Sequence, residues 1–343
     1  MKAYLFKSPG GIDKLQLSEV NRPEVGPKEV LIRVKAIGIN YAEVLSRKGQ
    51  YSWAPPRPYV PGMEAAGEIV EIGSNVQGLN IGDRVIMGAQ FGAYAEYMKS
   101  KAHLVYPIPE DWSWQEAAAL LVNYITAWVA LFKLGKTQPG DRVLIQAAAG
   151  GVGTAAVQLA SKAGARVAGT ASKPNKLGLI RQLGAELAIN YQEDDFEKVV
   201  RQEWSAIDVC LEVVGGEVFK KSKALLAPFG RLVVTGYASI PLKKWKPWTW
   251  WPAWRDAPKA GVMEMAVGSF SLAATHIGYL TDNAEITQTI WKELLGFVLK
   301  HEIKPVIGKE YPFEQLSQAH AFMESRKSVG KVVVNMGDPI NEK

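Results

Sequence analysis

Two hydrophobic patterns divide the chain. Over residues 1 to about 110, short apolar and β-branched runs broken by frequent Gly and Pro predict strands at 29–37, 66–72, 83–87 and 93–98, with a short helix at 41–47. Ser113 with Glu116 three residues on forms a capping box, so the uncharged run 117–132 reads as a buried helix; Asn123 and Thr126 interrupt it, and it is short for a membrane span. From Thr126 onward strand and helix alternate. Strands are expected at 142–147, 166–170, 187–190, 207–213 and 231–235, with helices at 151–163, 174–183, 194–203 and 216–226. Such alternation requires crossovers, hence a parallel sheet covered on both faces. Beyond Tyr237 the pattern dissolves into a tryptophan-rich segment. A strand near 269–275, a helix at 285–300 and a strand at 331–335 complete the chain.

The stretch from Arg142 to Ala160 carries the clearest chemistry. An apolar strand runs into Ala148-Ala149-Gly150-Gly151-Val152-Gly153 and then into small residues at helical spacing. Strand, glycine turn and helix in that order aim backbone N–H groups and the positive end of a helix at one point, which suits a pyrophosphate. Gly150 lets backbone approach a phosphate, and Gly153 lets the helix pack close to the strand. Ala148 stands where the usual G-x-G-x-x-G has its first glycine, so the turn is a variant.

Such a site chooses its ribose at the end of the second strand, where a carboxylate selects NAD over NADP. Here that strand ends at Gly169-Thr170-Ala171-Ser172, and no Asp or Glu occurs between Asp141 and Glu186. Ser172 is available to a phosphate, and Lys173 and Lys176 follow, although they also suit a solvated helix start. The missing carboxylate favours NADP(H).

Composition adds little that conflicts. The 343 residues, 48% of them apolar, suit a globular chain of two domains. A net charge of +6 without an arginine-rich run or nucleic-acid motif gives no DNA or RNA partner. The single cysteine, Cys210, excludes an internal disulfide framework and suits a cytoplasmic setting. The first residues lack the apolar core of a signal peptide.

With Gly38-Ile39-Asn40, Arg47-Lys48-Gly49-Gln50-Tyr51, Pro61-Gly62-Met63-Glu64-Ala65-Ala66-Gly67, the Ala147–Gly153 turn and Glu324-Ser325-Arg326 before Val329-Gly330-Lys331-Val332-Val333-Val334, the whole chain resembles the medium-chain dehydrogenase/reductase superfamily. It is similar to the zinc-free quinone oxidoreductase (zeta-crystallin-like) branch, and the last third, with His276-Ile277-Gly278-Tyr279-Leu280, most resembles the vesicle amine transport protein subgroup. The resemblance implies an α/β fold: a Rossmann doubly wound parallel sheet at 124–272, and a β-rich GroES-like catalytic domain from 1–123 and 273–343. It also implies a homodimer. Around NADP(H) it places Asn40, Thr126, Ala149, Gly150, Gly151, Val152, Thr170, Ser172, Lys176, Tyr191, Gly236, Tyr237, Arg326 and Lys331, with Lys176, Tyr191 and Arg326 near the 2′-phosphate and adenosine.

Zinc-dependent members of the superfamily use a Cys in the first part, a His in Gly-His-Glu and a four-cysteine loop. Here Asn40 stands near the expected cysteine and Met63 replaces the histidine, one cysteine cannot build the structural site, and His103, His276, His301 and His320 lack ligand spacing. No metal is therefore expected. A quinone or enone needs less activation than an alcohol or ketone, because the hydride's electrons enter an extended acceptor. The protein then positions the nicotinamide and donates hydrogen bonds to the growing oxyanion. Tyr51 and Asn40 are the candidate donors, with packing above Pro55-Pro56 as the alternative for Tyr51 and a helix cap as the alternative for Asn40. Tyr51 is also a candidate general acid, solvent being the other proton source.

Two functions remain open: an NADPH-dependent quinone or enone oxidoreductase, and an NADPH-binding, vesicle- or membrane-associated protein with little turnover. The segment 242–258, with five of the eleven tryptophans among lysines and prolines, reads as pocket wall, dimer interface or peripheral membrane contact, the pocket being preferred.

Overall fold

In the computed structural model, residues 1–236 and 258–337 are described. In chain order the first strands are β1 (Lys2–Phe6), β2 (Leu15–Glu19), β3 (Glu29–Ile39), β4 (Glu64–Ile72), β5 (Arg84–Gly88), β6 (Tyr97–Lys101) and β7 (Val105–Pro107). Then follow β8 (Arg142–Ile145), β9 (Arg166–Ala171), β10 (Leu187–Asn190), β11 (Ile207–Glu212), β12 (Leu226–Val234) and β13 (Ser271–Ala274), and finally β14 (Ile307–Pro312) and β15 (Lys331–Asn335). The chain divides into two units. One comprises Met1–Asn123, Gly278–Lys292 and Lys304–Lys343, the other Tyr124–Ile277 and Glu293–Ile303. The boundary expected between 272 and 273 falls inside β13, which pairs in register with β12 and so belongs to the second unit.

The first unit is built on a mixed sheet in the order β14-β15-β3-β4-β5-β7, with β6 also paired to β3. The eleven residues of β3 alternate between these partners: its first half pairs with β6, its last with β15, and β4 runs along the other edge. Buried on both faces over most of its length, β3 reads as a near-continuous apolar run. Tyr4, Phe6, Ile32, Ile37, Ile69, Val85, Met98, Phe313 and Leu316 pack into its core. On another face Ala36, Ala66 and Val333 meet Ala117, Ala118 and Ala119 of the helix Trp114–Trp128. These small side chains bring helix and sheet close together: a methyl on Gly38 would stand 2.2 Å from the Ala118 carbonyl oxygen.

The second unit is a six-stranded parallel sheet in the order β10-β9-β8-β11-β12-β13. The helices Gly151–Lys162, Pro174–Gln182, Phe196–Trp204 and Gly216–Ala224 connect its strands at the expected positions. The order reverses between β8 and β11, so the carboxyl ends of these strands form the topological switch point where such sheets bind ligands.

Several expectations are corrected. The strand expected at 93–98 begins at Tyr97, because Ala93, Tyr94 and Ala95 are fully buried in a core-filling turn after Gly92, whose φ is +112°. The strands β1, β2, β7 and β14 and the helices Val262–Gly268 and Leu316–Glu324 were not expected. The apolar run after Ser113 continues past Trp128 into a π-helical turn, Val129–Leu134, and its apolar window is 72% buried, as a core helix requires.

Candidate active site

In the first unit, charged and polar groups meet beneath the start of the helix Tyr41–Arg47. Asn40 is its N-cap, and Glu43 completes a capping box by accepting from the Asn40 backbone N–H at 2.6 Å. Glu43 is 1% exposed and also accepts from the Met63 N–H at 2.9 Å and the Tyr94 hydroxyl at 2.8 Å. Asn40 Nδ2 donates to Glu64 Oε1 at 2.9 Å and reaches Glu43 Oε1 at 3.3 Å and the Gly38 carbonyl at 3.4 Å. Its Oδ1 accepts from Lys331 Nζ at 2.7 Å, and the same ammonium pairs with Glu64. The other Glu64 oxygen accepts from the Val122 N–H at 2.8 Å. Gly38 makes room for this cluster, since a methyl there would stand 2.7 Å from Lys331 Cε and 2.8 Å from Glu64 Oε1.

The structure therefore brings Asn40 and Lys331 together, although they are 291 residues apart in sequence. Lys331 can only donate, so it fixes the Asn40 amide with its oxygen toward the ammonium. Both amide hydrogens then point into the cluster. This arrangement gives Asn40 a capping and bridging part rather than that of a free donor. Burial pushes the Glu43 carboxyl up to about 7, against the opposing pull of the Asn40 N–H and Lys331.

Tyr51 follows Gly49, whose φ of +72° turns the chain out of the helix. Its half-buried hydroxyl is held well above the usual tyrosine range, first by burial and then by the Glu43 and Tyr279 charges. Trp53 packs edge-on against the exposed Tyr279 ring. Arg326 lies exposed just past the helix Leu316–Glu324, in a left-handed conformation with φ of +58°.

In the second unit, β8 ends in a tight turn. Ala147 has φ of +51°, and Gly150, extended, precedes the helix that opens with Gly151 and Val152. A methyl on Gly153 would stand 2.4 Å from the Ala147 carbonyl oxygen and 2.7 Å from Ala148 Cα, so only glycine permits this helix–strand approach. Ala149, Gly150, Gly151 and Val152 present their backbone at the helix N-terminus, and the box of residues behind them is polar. Thr170 accepts from the Ala147 N–H at 3.2 Å and donates to Gln146 Oε1 at 2.7 Å; Gln146 donates to Ser222 at 3.0 Å. The Thr170 hydroxyl thus braces the turn from within. Beyond it, Glu212 caps the Gly215 N–H at 2.9 Å, its carboxyl pushed up by burial.

Ser172 is half-buried at the end of β9. Lys176 sits in the first turn of the helix Pro174–Gln182 and is 8% exposed; burial, and then Lys173, pull its ammonium down. Tyr191 is 53% exposed after β10. Thr126 lies on the helix Trp114–Trp128 and Gly236 just past β12. Tyr237 and nearly all of segment 242–258 lie outside the described residues. Among the described residues no group of three or more His, Cys, Asp or Glu is placed to hold a metal.

Glu43 and Tyr94 were not singled out from the sequence, and Glu64 and His320 entered only within a motif and as a histidine without ligand spacing. The Asn40-x-x-Glu43 spacing, a capping box, was the one local signal for Glu43.

Comparison with known proteins places these features in context. Residues 26–110 match the alcohol dehydrogenase GroES-like domain family, and residues 183–334 match a family described as zinc-binding dehydrogenase. The human synaptic vesicle membrane protein VAT-1 homolog is 34% identical, over 98% of this chain and 87% of its own. The quinone oxidoreductase of Thermus thermophilus, solved also in complex with NADPH, superimposes with a TM-score of 0.80 at 34% identity, covering 98% of this chain and 100% of its own. A mycobacterial protein solved in complex with NADPH gives a TM-score of 0.86 at 31% identity, covering 98% and 99%.

Proposed function

Since the chain belongs to the medium-chain dehydrogenase/reductase superfamily of oxidoreductases, we propose that it binds NADP(H) and reduces a quinone or α,β-unsaturated carbonyl without a metal. The observation that carries the reading is the end of β9, where the chain offers Ser172 and the nearly buried Lys176 and no carboxylate. The residues fit the cofactor. Gly153 allows the close helix–strand approach of this turn, and the helix Gly151–Lys162 presents its N-terminus just past β8, where its positive end suits a pyrophosphate. Relatives solved with NADPH support the same reading.

When bound, NADPH supplies the hydride. Within the second unit, Lys176 and Ser172 would hold the 2′-phosphate with Tyr191 beside the adenosine, and Thr126 and Gly236 would lie toward the nicotinamide. Tyr51 is the hydrogen-bond donor to the oxyanion that develops as hydride enters the conjugated acceptor. Its hydroxyl stays protonated through neutral pH, as a donor must. Asn40 acts behind it by fixing Lys331 and the helix start. Asn40 and Met63 provide an engaged amide and a thioether where zinc-dependent relatives place stronger ligands, so the reading involves no Lewis acid.

The test is NADPH oxidation measured against quinones, enones, aldehydes and alcohols, with NADH in parallel. Turnover of quinones or enones with NADPH preferred is expected. Tight NADPH binding with no turnover of any acceptor would replace the enzyme by a cofactor-binding protein, a reading favoured by the vesicle-protein relatives.

A further inference from the structure

A second line of buried groups leads away from the Asn40 cluster. The Tyr94 hydroxyl lies 2.8 Å from Glu43 Oε2 and 2.9 Å from His320 Nε2, and all three side chains are at most 1% exposed. Since Tyr94 donates to Glu43, His320 Nε2–H donates to Tyr94 and the Nδ1 lone pair faces the far end. Among the described residues, His320 Nδ1 has no hydrogen-bond partner, nor do Nε and Nη1 of the buried Arg47. Glu324, one turn from His320 on the same helix, pairs with Arg47 and Lys48 and is partly exposed. The contacts run unbroken from the His320 ring through Tyr94 to the sealed Glu43 carboxylate.

Charge gives this line a purpose. Around Glu43 stand Lys331 on β15, Glu64 on β4, Tyr94, Tyr59, Tyr51 and, beyond Tyr94, His320 and Arg47. Arg47 is balanced by Glu324. Two buried carboxylates therefore share one ammonium, and one added proton makes the set neutral.

We propose that His320, Tyr94 and Glu43 form a buried proton relay whose inner terminus, Glu43, is loaded and emptied through the ring and hydroxyl. The step balances. Nδ1, itself buried, takes a proton from a hydronium admitted when the helix Leu316–Glu324 opens locally, leaving water; Nε2 releases its own to the Tyr94 oxygen, and Tyr94 releases its proton to Glu43 Oε2. The ring changes tautomer and returns neutral, and only Glu43 gains a proton. His320 is suited to passing rather than keeping it, since burial and then Arg47 pull the imidazolium down to about 3. Glu43, pushed up to about 7, is suited to holding it. Because the Glu43 charge makes the Tyr51 proton harder to release, a loaded relay favours proton donation by Tyr51. This last consequence rests on the reading of Tyr51 given above; the relay does not.

Infrared titration of the full chain without substrate tests it, with 13C-labelled glutamate marking carboxyl bands. A buried carboxylic-acid band should appear as pH falls through about 7 and be lost in Glu43→Gln. After a rapid pH drop it should rise about two decades more slowly in Tyr94→Phe, where the relaying hydroxyl is gone. If Glu43→Gln does not fold, Glu43→Asp should shift the band instead. No glutamic-acid band near neutral pH, or equally fast loading in Tyr94→Phe, would overturn the relay. With quinone or enone turnover, kcat should fall as pH rises through the same midpoint and become flat in Glu43→Gln. A confirmed band with kcat insensitive to it would keep the relay and remove Tyr51 as proton donor.

Discussion

Replacing Lys331 by methionine isolates the central ion pair of the first unit. The Lys331 and Glu64 side chains are 2% and 0% exposed, so the variant leaves a carboxylate in the core without its cation. Breaking such a pair costs about 3–5 kcal/mol. The lower end applies here, because Glu64 keeps Asn40 Nδ2 at 2.9 Å and the Val122 N–H at 2.8 Å. The expected loss is roughly 3 kcal/mol at neutral pH. Urea unfolding followed by circular dichroism measures it. Adding Glu64→Gln to Lys331→Met should restore about 2 kcal/mol, a coupling that closes the double-mutant cycle. A loss below about 1 kcal/mol at neutral pH would refute the assignment of this pair as the keystone of the cluster.

Three further outcomes are expected. Lys176→Ala should weaken NADPH by about one to two decades and NADH little, as loss of a charged phosphate contact worth roughly 1.5–3 kcal/mol requires; titration with both cofactors decides it. Tyr51→Phe should lower kcat on enones while cofactor affinity stays nearly constant, and an unchanged kcat with chemistry rate-limiting would return Tyr51 to packing. Gly153→Ala should destabilise the fold and abolish cofactor binding, because the methyl meets backbone 2.4 Å away, whereas Gly178→Ala in a helix with open space should stabilise by about 0.5–1 kcal/mol, both read from unfolding curves.

The parallel sheet was legible because its strands are mostly local apolar runs and each crossover helix has its own period; β8 to β11 lie within two residues of expectation, whereas β12 begins five residues earlier, through Pro228 and Gly230. The first unit was less so. The strand β14 carries Gly308, Lys309 and Glu310, which read as loop, and forms only because β15 pairs beside it. The helix Leu316–Glu324 buries just Leu316, Ala319 and His320, a stripe too short to assert itself. The glycine turn was visible and its Thr170 brace was not, since a hydroxyl's partner depends on neighbouring strands. The Asn40 cluster was half visible: its residues stood in recognisable motifs, but the 291 residues from Asn40 to Lys331 hide the contact that decides which way the amide points.

That long reach has a consequence for biosynthesis. Glu64 emerges from the ribosome 267 residues before Lys331. At about 5–20 residues per second, the nascent first unit waits on the order of tens of seconds for its counter-charge. Until then β3 also lacks β15, and its paired half ends beside an uncompensated carboxylate. The sheet of the second unit, whose strands lie between 142 and 274, has all its partners before that moment. The part of the chain made first is therefore finished last.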